Sequence, residues 1–417
     1  MNVKQKHLFR PAGLFLAVCA GAAIFAGCRA VRTDGWDVRT DGTYYLEQGV
    51  PVTGWLDLDG QRYCFDPDGV MRTGLQQIDG ETYFFLPDGA MAEGWQEIAG
   101  NRYYFRENGT LVTGWLSLDD GRFYLGADGA AVSGLTEVNG TVYLFNGEGR
   151  LSSGWVELDG KRCYGDGDGR PVTGWQELDG RRFCFDESGF QITGWLDYEG
   201  FRYYYLDSGL PAQGAVTVDG QSCFFSAFGQ QIILANPWNQ IPADYTVELQ
   251  AIDTNHQVAS IAYADFQEMM ADCRAAGLRP AVCSSYRTQE YQEKLFARKV
   301  AYYTRKGYAE DEARELAGRS VAVPGTSEHQ LGLALDIVDN GNWNLDESQA
   351  KTATQQWLMA HSWEYGWILR YPEDKSEQTG IIYEPWHYRY VGRETAADIH
   401  DRGVCLEEYL DLLTAVG

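Results

Sequence analysis

Residues 54–73 read GWLDLDGQRYCFDPDGVMRT, and the pattern of this stretch recurs with a period of 20 residues. The glycine that opens each unit stands at Gly54, Gly74, Gly94, Gly114, Gly134, Gly154, Gly174, Gly194 and Gly214. A fixed period of this kind predicts a solenoid, in which each unit buries its apolar face only against its neighbours.

Each unit also carries the signature of a β-hairpin. Two short runs of alternating residues flank a dipeptide such as Asp59-Gly60. Asp-Gly in this setting favours a two-residue hairpin turn, because that turn requires positive φ angles. Residues 35–235, which begin with a degenerate copy at Gly35-Trp36, are therefore predicted to form a solenoid of stacked β-hairpins.

The repeating unit Gly-Trp-x4-Gly-x2-Tyr-x-Phe-x3-Gly resembles the choline-binding and glucan-binding repeats of Gram-positive surface proteins. The resemblance implies that aromatic side chains of successive hairpins form cages or platforms. Such aromatic cages hold quaternary ammonium groups by cation–π attraction, and stacked rings also suit the faces of sugars.

The repeats depart from the choline-binding form at one position, where most units have arginine instead of tryptophan. These arginines are Arg62, Arg102, Arg122, Arg162, Arg182 and Arg202. Arginine removes a cage wall and repels a cation, so a wall polymer or a glucan is favoured over choline as the ligand. The alternative is a spacer arm whose tryptophans and tyrosines only pack the solenoid.

The N-terminus has the pattern of an export signal. A basic start is followed by an apolar run over residues 12–26, which is too short for a comfortable membrane span. Residues 25–28, Phe-Ala-Gly-Cys, resemble the lipobox of bacterial lipoproteins, which implies lipidation of Cys28. Because Phe25 replaces the usual leucine, ordinary signal-peptide cleavage is the alternative. We therefore expect a signal peptide over residues 1–27.

This organisation predicts a protein at the outside of the cell. Residues 28–34 would form a short linker between Cys28 and the repeats. The only membrane contact expected is a lipid on Cys28, so that the protein is either lipid-anchored or associated with the wall. The formal net charge of −25 argues against nucleic acid as a partner.

The nine cysteines contain no CxxC pair. Several of them stand where sister repeats have aromatic residues, which favours small buried hydrophobic side chains. Because an exported protein meets oxidising conditions, Cys163–Cys184 and Cys273–Cys283 remain alternative disulfide pairs.

The repeat pattern stops near Ile233, and residues 236–417 are predicted to form a separate domain. Helices are expected over residues 262–276, 289–306 and 311–317. A segment of this length is sufficient for one compact core.

Two polar motifs stand out in this domain. In the first, residues 325–337, the residues after Gly332 alternate in polarity, which predicts a strand with Asp336 on the face opposite its apolar neighbours. His329 lies just before Gly332 and could fold over the same spot. In the second, residues 383–390, the aromatic composition predicts another strand, since a proline excludes a regular helix.

Each motif contains a histidine, His329 in the first and His387 in the second. Two histidines and one carboxylate would leave an open position on a zinc ion, which is the pattern of a catalytic site. A further carboxylate, Glu384, could take the proton of a water molecule and transfer it to the leaving amine. Taken by themselves, these residues could also be ordinary polar residues, with Glu384 as an ion-pair partner of Arg389.

Three ordered motifs in residues 284–288, 327–336 and 384–387 resemble those of the VanY-type D-alanyl-D-alanine carboxypeptidase family. The resemblance implies a small α+β zinc peptidase domain with an antiparallel sheet that carries the metal. The residues it implies are His329, Asp336 and His387 as zinc ligands, Glu384 as general base, Arg287 as the cation for the substrate carboxylate or the oxyanion, and Gln292 and Ser327 as substrate-pocket residues.

The resemblance also implies the substrate, the peptide stems of peptidoglycan. The favoured activity is that of a zinc D,D-carboxypeptidase that removes the terminal D-Ala. Two alternatives stay open at this point: an L,D-carboxypeptidase acting on tetrapeptide stems, and a non-catalytic wall-binding protein or adhesin.

Overall fold

The computed structural model describes residues 34–416, which form two compact units that divide between Val132 and Ser133. The predicted signal peptide and Cys28 lie outside the described residues. Within residues 34–416, no helix combines the length and the apolar character needed to cross a bilayer.

The first unit is a series of β-hairpins. Its strands are β1 Gly35–Arg39, β2 Gly42–Glu47, β3 Val50–Pro51, β4 Gly54–Leu58, β5 Gln61–Phe65, β6 Gly74–Ile78, β7 Glu81–Phe85, β8 Gly94–Ile98, β9 Asn101–Phe105, β10 Gly114–Leu118 and β11 Gly121–Leu125. The second unit continues the series with β12 Gly134–Val138, β13 Thr141–Phe145, β14 Gly154–Leu158, β15 Lys161–Gly165, β16 Gly174–Leu178, β17 Arg181–Phe185, β18 Gly194–Tyr198, β19 Phe201–Tyr205, β20 Gly214–Val218, β21 Gln221–Phe225 and β22 Gln231–Ile232.

The hairpin between β4 and β5 illustrates the local geometry. Leu58 pairs with Gln61, so Asp59 and Gly60 form the two-residue turn. Their φ angles are 52° and 78°. Both values are positive, as a type I′ turn demands, and the predicted hairpin is confirmed.

Successive hairpins of the first unit are joined by backbone hydrogen bonds. The amide of Met91 donates to the carbonyl of Arg62 at 2.7 Å, and the amide of Leu111 donates to the carbonyl of Thr82 at 2.8 Å. Phe85 and Phe105 are fully buried between neighbouring hairpins. Each hairpin thus depends on its neighbours for a core, which confirms the predicted stacking of hairpins within this unit.

The second unit ends in a domain of mixed α and β structure. Its strands are β23 Leu249–Ala251, β24 Gln257–Ala259, β25 Pro280–Ser284, β26 Ala334–Asp339, β27 Trp367–Leu369 and β28 His387–Tyr390. Its α-helices are α1 Ser260–Ala275, α2 Gln289–Arg305, α3 Glu310–Gly318, α4 Ala353–His361, α5 Ser376–Thr379, α6 Arg393–Arg402 and α7 Leu406–Val416, and short 3₁₀ helices span Glu328–Leu331, Glu347–Lys351 and Ser362–Tyr365. The three predicted helices are confirmed to within two residues at each end.

The centre of this domain is an antiparallel sheet with the strand order β25-β26-β28-β27. Leu335 and Ile337 of β26 point into a core that includes Phe266 of α1 and Trp367 of β27. Asp336 lies between them in sequence and faces the other side of the sheet. The α+β class and the predicted alternation are confirmed, although the strand begins at Ala334 instead of Leu333.

The second motif forms a shorter strand than predicted. Only His387–Tyr390 belongs to β28, and Glu384 lies in the turn before it. In this turn the amide of His387 donates to the carbonyl of Glu384 at 3.1 Å. Pro385 has no amide hydrogen to give to a ladder, which explains why the strand starts after it.

The last hairpin of the second unit shares a core with the domain that follows it. Ile232 and Leu234 are buried in one cluster with Ile399 of α6 and with Leu406 and Leu410 of α7. The side chain of Tyr409 also accepts a hydrogen bond from the amide of Ala227 at 2.9 Å.

The two alternative disulfides do not form. All four cysteines, Cys163, Cys184, Cys273 and Cys283, are free thiols, and the first three are buried. Among the repeat cysteines interpreted as small buried side chains, Cys64, Cys163 and Cys184 are buried, whereas Cys223 is partly exposed.

Candidate metal centre

The register of the central sheet brings residues from distant parts of the chain to one spot. Asp336 of β26 pairs with Ser284 of β25 on one side and with His387 of β28 on the other. Residues that pair directly across strands present their side chains on the same face of a sheet. The aspartate and one of the predicted ligand histidines are neighbours for this reason.

The other predicted ligand, His329, reaches the same face from the 3₁₀ helix Glu328–Leu331. Its Nε2 lies 3.3 Å from Oδ2 of Asp336, and Nδ1 of His387 lies 3.1 Å from Oδ1 of Asp336. The three buried side chains offer ligand atoms that lie within 4.8 Å of one another. Two imidazoles and one carboxylate are a suitable donor set for zinc with one position left open.

The backbone fixes which nitrogen of His329 is available. Nδ1 of His329 lies 2.9 Å from the carbonyl oxygen of Ser285, to which it donates. The lone pair of the neutral ring is therefore on Nε2, the atom that faces Asp336. Burial, assisted by the positive charge of Arg287, lowers the pKa of His329 to about 4.

The surroundings of His387 are more acidic. Burial by itself would lower the pKa of His387, but the nearby carboxylates of Asp336 and Glu328 outweigh it and raise the pKa to about 9. For Asp336, burial opposes ionisation, yet the contacts with His329 and His387 hold the pKa of this carboxyl well below its usual range. The cluster is thus a tightly coupled group of ionisable side chains.

Glu384 lies beside the cluster without being one of its three central members. Its Oε2 is 3.7 Å from Nδ1 of His387. Burial raises the pKa of Glu384 to about 8, against the lowering influence of His387. The alternative pairing of Glu384 with Arg389 is wrong, because Arg389 donates to Glu328 at 2.8 Å instead.

Arg287 contacts the cluster through Asp336. Its Nη2 donates to Oδ2 of Asp336 at 3.0 Å and to the hydroxyl of Ser284 at 2.8 Å. Nη1 donates to Oε1 of Gln292 at 3.4 Å, while Nε2 of Gln292 donates to the carbonyl of Ala322 at 2.7 Å. The guanidinium group is therefore held in one orientation at the rim of the cluster.

The two predicted pocket residues differ in their surroundings. Gln292 of α2 is fully buried, and its amide side chain bridges Arg287 and the backbone. Ser327 is also buried and precedes the 3₁₀ helix that carries His329. Gln292 thus contacts Arg287, and Ser327 lies two residues before His329 in the chain.

The structure adds residues that sequence reasoning missed. Glu328 and Arg370 are completely buried side chains, and Nε of Arg370 donates to Oε1 of Glu328 at 2.8 Å. Arg370 also makes two hydrogen bonds to Glu407 of α7, at 2.7 and 2.6 Å. Nothing in the local pattern of Glu328 marks it as different from an ordinary exposed glutamate, because its partners are distant in sequence.

In the hairpins, the arginines that replace tryptophan lie over the opening tryptophan of the same unit. The guanidinium carbon is between 3.9 and 5.4 Å from the ring centroid in the pairs Arg62–Trp55, Arg102–Trp95, Arg122–Trp115, Arg162–Trp155, Arg182–Trp175 and Arg202–Trp195. Some also pair with a carboxylate of their own hairpin, as Arg202 does with Asp197 at 3.2 Å. A cation of the protein itself thus occupies the ring face in these units.

The repeats and the C-terminal domain each match a known protein family. Residues 255–393 match the model of VanY D-alanyl-D-alanine carboxypeptidases. Residues 52–93, 92–134 and 172–209 match the model of the choline-binding repeat.

Individual relatives match the C-terminal part. A D-alanyl-D-alanine carboxypeptidase of Enterococcus faecalis is 45% identical over 180 residues, which is 43% of this chain and 65% of the relative. A bifunctional D-Ala-D-Ala dipeptidase and carboxypeptidase, VanXYC of Enterococcus gallinarum, is 39% identical over 145 residues, or 34% of this chain and 72% of the relative. The chain spans less than two thirds of the length of the first of these relatives.

A solved structure is also similar to the same region. It is the zinc complex of a mutant of the vancomycin-resistance D,D-pentapeptidase VanY from a VanB-type resistance cassette, with 46% identity and a TM-score of 0.40. The similarity covers 43% of this chain and 97% of that one.

Proposed function

Since its C-terminal domain makes the chain a member of the VanY family of D-alanyl-D-alanine carboxypeptidases, we propose that the protein is a zinc-dependent D,D-carboxypeptidase. Its substrates would be peptidoglycan stem peptides, from which it removes the terminal D-Ala. The observation that carries the proposal is the buried cluster of His329, Asp336 and His387, with Glu384 beside His387 and Arg287 bound to Asp336.

The three central residues supply what a zinc ion needs. His329 offers Nε2, His387 offers Nδ1 and Asp336 offers a carboxylate oxygen, all from buried positions. A zinc ion held there would polarise the scissile carbonyl and lower the pKa of a water molecule. Among residues 34–416 the cluster has three members, which leaves a coordination position for that chemistry.

Glu384 is the proposed general base. Its carboxylate lies on the His387 side of the cluster, and the neighbouring Arg389 is engaged by Glu328. In the ionised form Glu384 can accept a proton from the attacking water and then transfer that proton to the amine of the departing D-Ala.

Arg287 is the proposed recognition group for negative charge. Its guanidinium donates hydrogen bonds to Ser284 and Gln292, and it also donates one to Asp336 of the cluster. A planar guanidinium can give paired, charge-assisted hydrogen bonds to the C-terminal carboxylate of a stem peptide or to the developing oxyanion. In this proposal Gln292 orients Arg287, and Ser327 lines the pocket.

Mass analysis of purified muropeptides tests the proposal. The zinc-loaded full chain should shorten pentapeptide stems by one D-Ala and leave tetrapeptide stems intact. Shortening of tetrapeptides alone would assign the L,D activity instead. If neither substrate changes while zinc is bound, the protein is not a carboxypeptidase of this kind.

We infer that the repeats attach the protein to a wall polymer or glucan rather than to choline. The arginine over each of six opening tryptophans takes the ring face that a quaternary ammonium would need. At Trp155 the guanidinium carbon lies 3.9 Å from the ring centroid, so a second cation at that face would be repelled.

A binding assay with purified cell walls addresses this inference. We expect the full chain to sediment with walls that lack choline and to stay bound in excess free choline. Release by choline would contradict the inference. Failure to sediment with any wall or glucan would favour the spacer interpretation.

We also propose that the protein is exported and acylated on Cys28. The support is the sequence of the N-terminal segment alone. Metabolic labelling with an alkyne fatty acid should tag the wild-type protein, and the Cys28→Ala variant should remain untagged and appear in the medium. Equal labelling of both proteins would exclude this anchor.

A further inference from the structure

A buried carboxylate oxygen and a buried imidazole nitrogen face each other beside the proposed metal centre. Oε2 of Glu328 lies 3.6 Å from Nε2 of His387. Within residues 34–416, neither atom has a hydrogen-bond partner at ordinary distance. Buried polar atoms are rarely left without partners, so a pair of this kind calls for a functional explanation.

The other oxygen of Glu328 explains why its carboxylate is held in this orientation. Oε1 accepts one hydrogen bond from Nε of Arg370 and one from Nη1 of Arg389, both at 2.8 Å. With Oε1 fixed by two guanidinium groups, Oε2 points toward the ring of His387. The two arginines also compensate the charge of a residue that is only 1% exposed.

The two histidines of the cluster are held in similar ways but through different ring nitrogens. His329 donates from Nδ1 to the carbonyl of Ser285, which leaves Nε2 for a metal. His387 is turned the other way, with Nδ1 toward Asp336 and Nε2 toward Glu328. Each ring therefore directs one nitrogen into the cluster and the other toward an acceptor of the protein.

We propose that Glu328 is a positioning residue of the metal centre, whose Oε2 accepts a hydrogen bond from the Nε2 hydrogen of His387. This contact selects the tautomer that presents the lone pair of Nδ1 to the metal, and it makes His387 a stronger ligand. The inference rests on the proposed zinc site and adds to it the means by which one of the ligands is oriented.

The distance of 3.6 Å exceeds an ordinary N–H···O separation of about 2.9 Å. In the zinc-loaded protein, we expect the ring of His387 to lie closer to Glu328. A crystal structure of the zinc complex should therefore show this contact at hydrogen-bond distance.

The direct test measures zinc affinity by competition with a chromogenic chelator in the full chain. Glu328→Gln keeps the shape of the side chain but removes its charge. We expect its zinc dissociation constant to rise about 10- to 100-fold, as is typical when a partner of a ligand histidine is changed. The visible spectrum of the cobalt-substituted variant should also shift, because the ligand field of His387 changes.

Glu407→Gln is the matched control. Glu407 is also a buried acidic partner of Arg370, but it accepts hydrogen bonds from Nη1 and Nη2 of that arginine and from Asn236, whereas Glu328 accepts from Nε. Its loss should lower the thermal unfolding midpoint while leaving zinc affinity and the cobalt spectrum as in the wild type. Equal zinc affinities of the two variants would overturn the proposal.

A second variant covers the case in which Glu328→Gln does not fold. Glu328→Asp retains the charge that faces Arg370 and Arg389 but withdraws the carboxylate from His387. We expect it to fold and to bind zinc more weakly, and a wild-type affinity would contradict the inference. If the wild-type chain itself binds no zinc, the proposed function fails before this inference is reached.

Discussion

At the scale of single residues, the main feature is how the two ligand histidines are distinguished. His329 lies between a backbone carbonyl and Asp336, whereas His387 lies among three carboxylates, those of Asp336, Glu328 and Glu384. Identical side chains thus acquire opposite shifts, with the pKa lowered to about 4 for His329 and raised to about 9 for His387. Binding of a metal to His387 would displace its proton.

Glu384 gives a prediction at this scale. Glu384→Ala should retain zinc, because the three ligand side chains are unchanged, and should lose turnover by about 10²- to 10⁴-fold, because the proton shuttle is missing. Metal analysis and muropeptide turnover measured on the same preparation check both parts.

Glu373→Ala, which removes an exposed carboxylate from the same stretch of chain, is the control and should behave as the wild type. Normal turnover in Glu384→Ala would remove Glu384 from the mechanism.

The motifs predicted His329, Asp336, His387 and Glu384 as candidates because each lies in a dense polar stretch. They could not predict the role of Glu328. Its partners, Arg370 and Arg389, are more than 40 residues away in the chain. Only the packing of the sheet against the 3₁₀ helix makes this glutamate a buried neighbour of His387.

At the scale of elements, the turn between the 3₁₀ helix Glu328–Leu331 and β26 sets the distance between two ligands. Gly332 ends that helix in a left-handed conformation with φ 72°. An added Cβ would meet Cδ2 of Leu249 at 3.0 Å and the amide nitrogen of Ala259 at 3.3 Å. The turn therefore depends on glycine for both conformation and space.

Gly332→Ala should consequently destabilise the protein. The left-handed conformation alone costs an L-residue about 1–2 kcal/mol, and the close contacts add to this. Urea unfolding measures the change, and weakened zinc binding should accompany it because His329 shifts relative to Asp336.

Gly318→Ala is the control for this substitution. Gly318 ends α3 without positive φ, and its added Cβ would lie 3.8 Å from Val323. Alanine favours helix, so this variant should be as stable as the wild type or slightly more stable. Equal stability of both variants would show that the Gly332 turn tolerates a side chain.

At the scale of the second unit as a whole, the last hairpin and the peptidase domain share a hydrophobic cluster. Ile232 and Leu234, which follow the last repeat, pack with Leu410 and Leu413 of α7. The carbonyl of Ile233 also accepts a hydrogen bond from Arg389 at 3.0 Å. We therefore propose that residue 235 is the boundary between the repeats and the peptidase domain in the sequence, and that the two nevertheless share one hydrophobic core.

A substitution in α7 tests this connection. Leu410 is 1% exposed, and Leu410→Ala should destabilise the unit by about 2–5 kcal/mol through loss of burial and the cavity that remains. Thermal denaturation should show the last repeats and the peptidase domain losing stability together.

Leu412 lies on the same helix and is 47% exposed. Leu412→Ala should change stability by no more than about 0.5 kcal/mol. Separate transitions for the repeats 133–232 and the peptidase domain in Leu410→Ala would contradict a shared cooperative core.

The sequence by itself determined the repeat, because a period of 20 residues and its Asp-Gly turns are local properties that specify hairpins wherever they occur. It also determined the helices of the peptidase domain and the candidate ligands. The tertiary structure alone decided which residues meet. Asp336 and His387 are 51 residues apart in sequence, and only the pairing of β26 with β28 makes them neighbours. It likewise placed each repeat arginine on its own tryptophan and Glu328 against His387, because such contacts depend on strand register and burial, which no local pattern encodes.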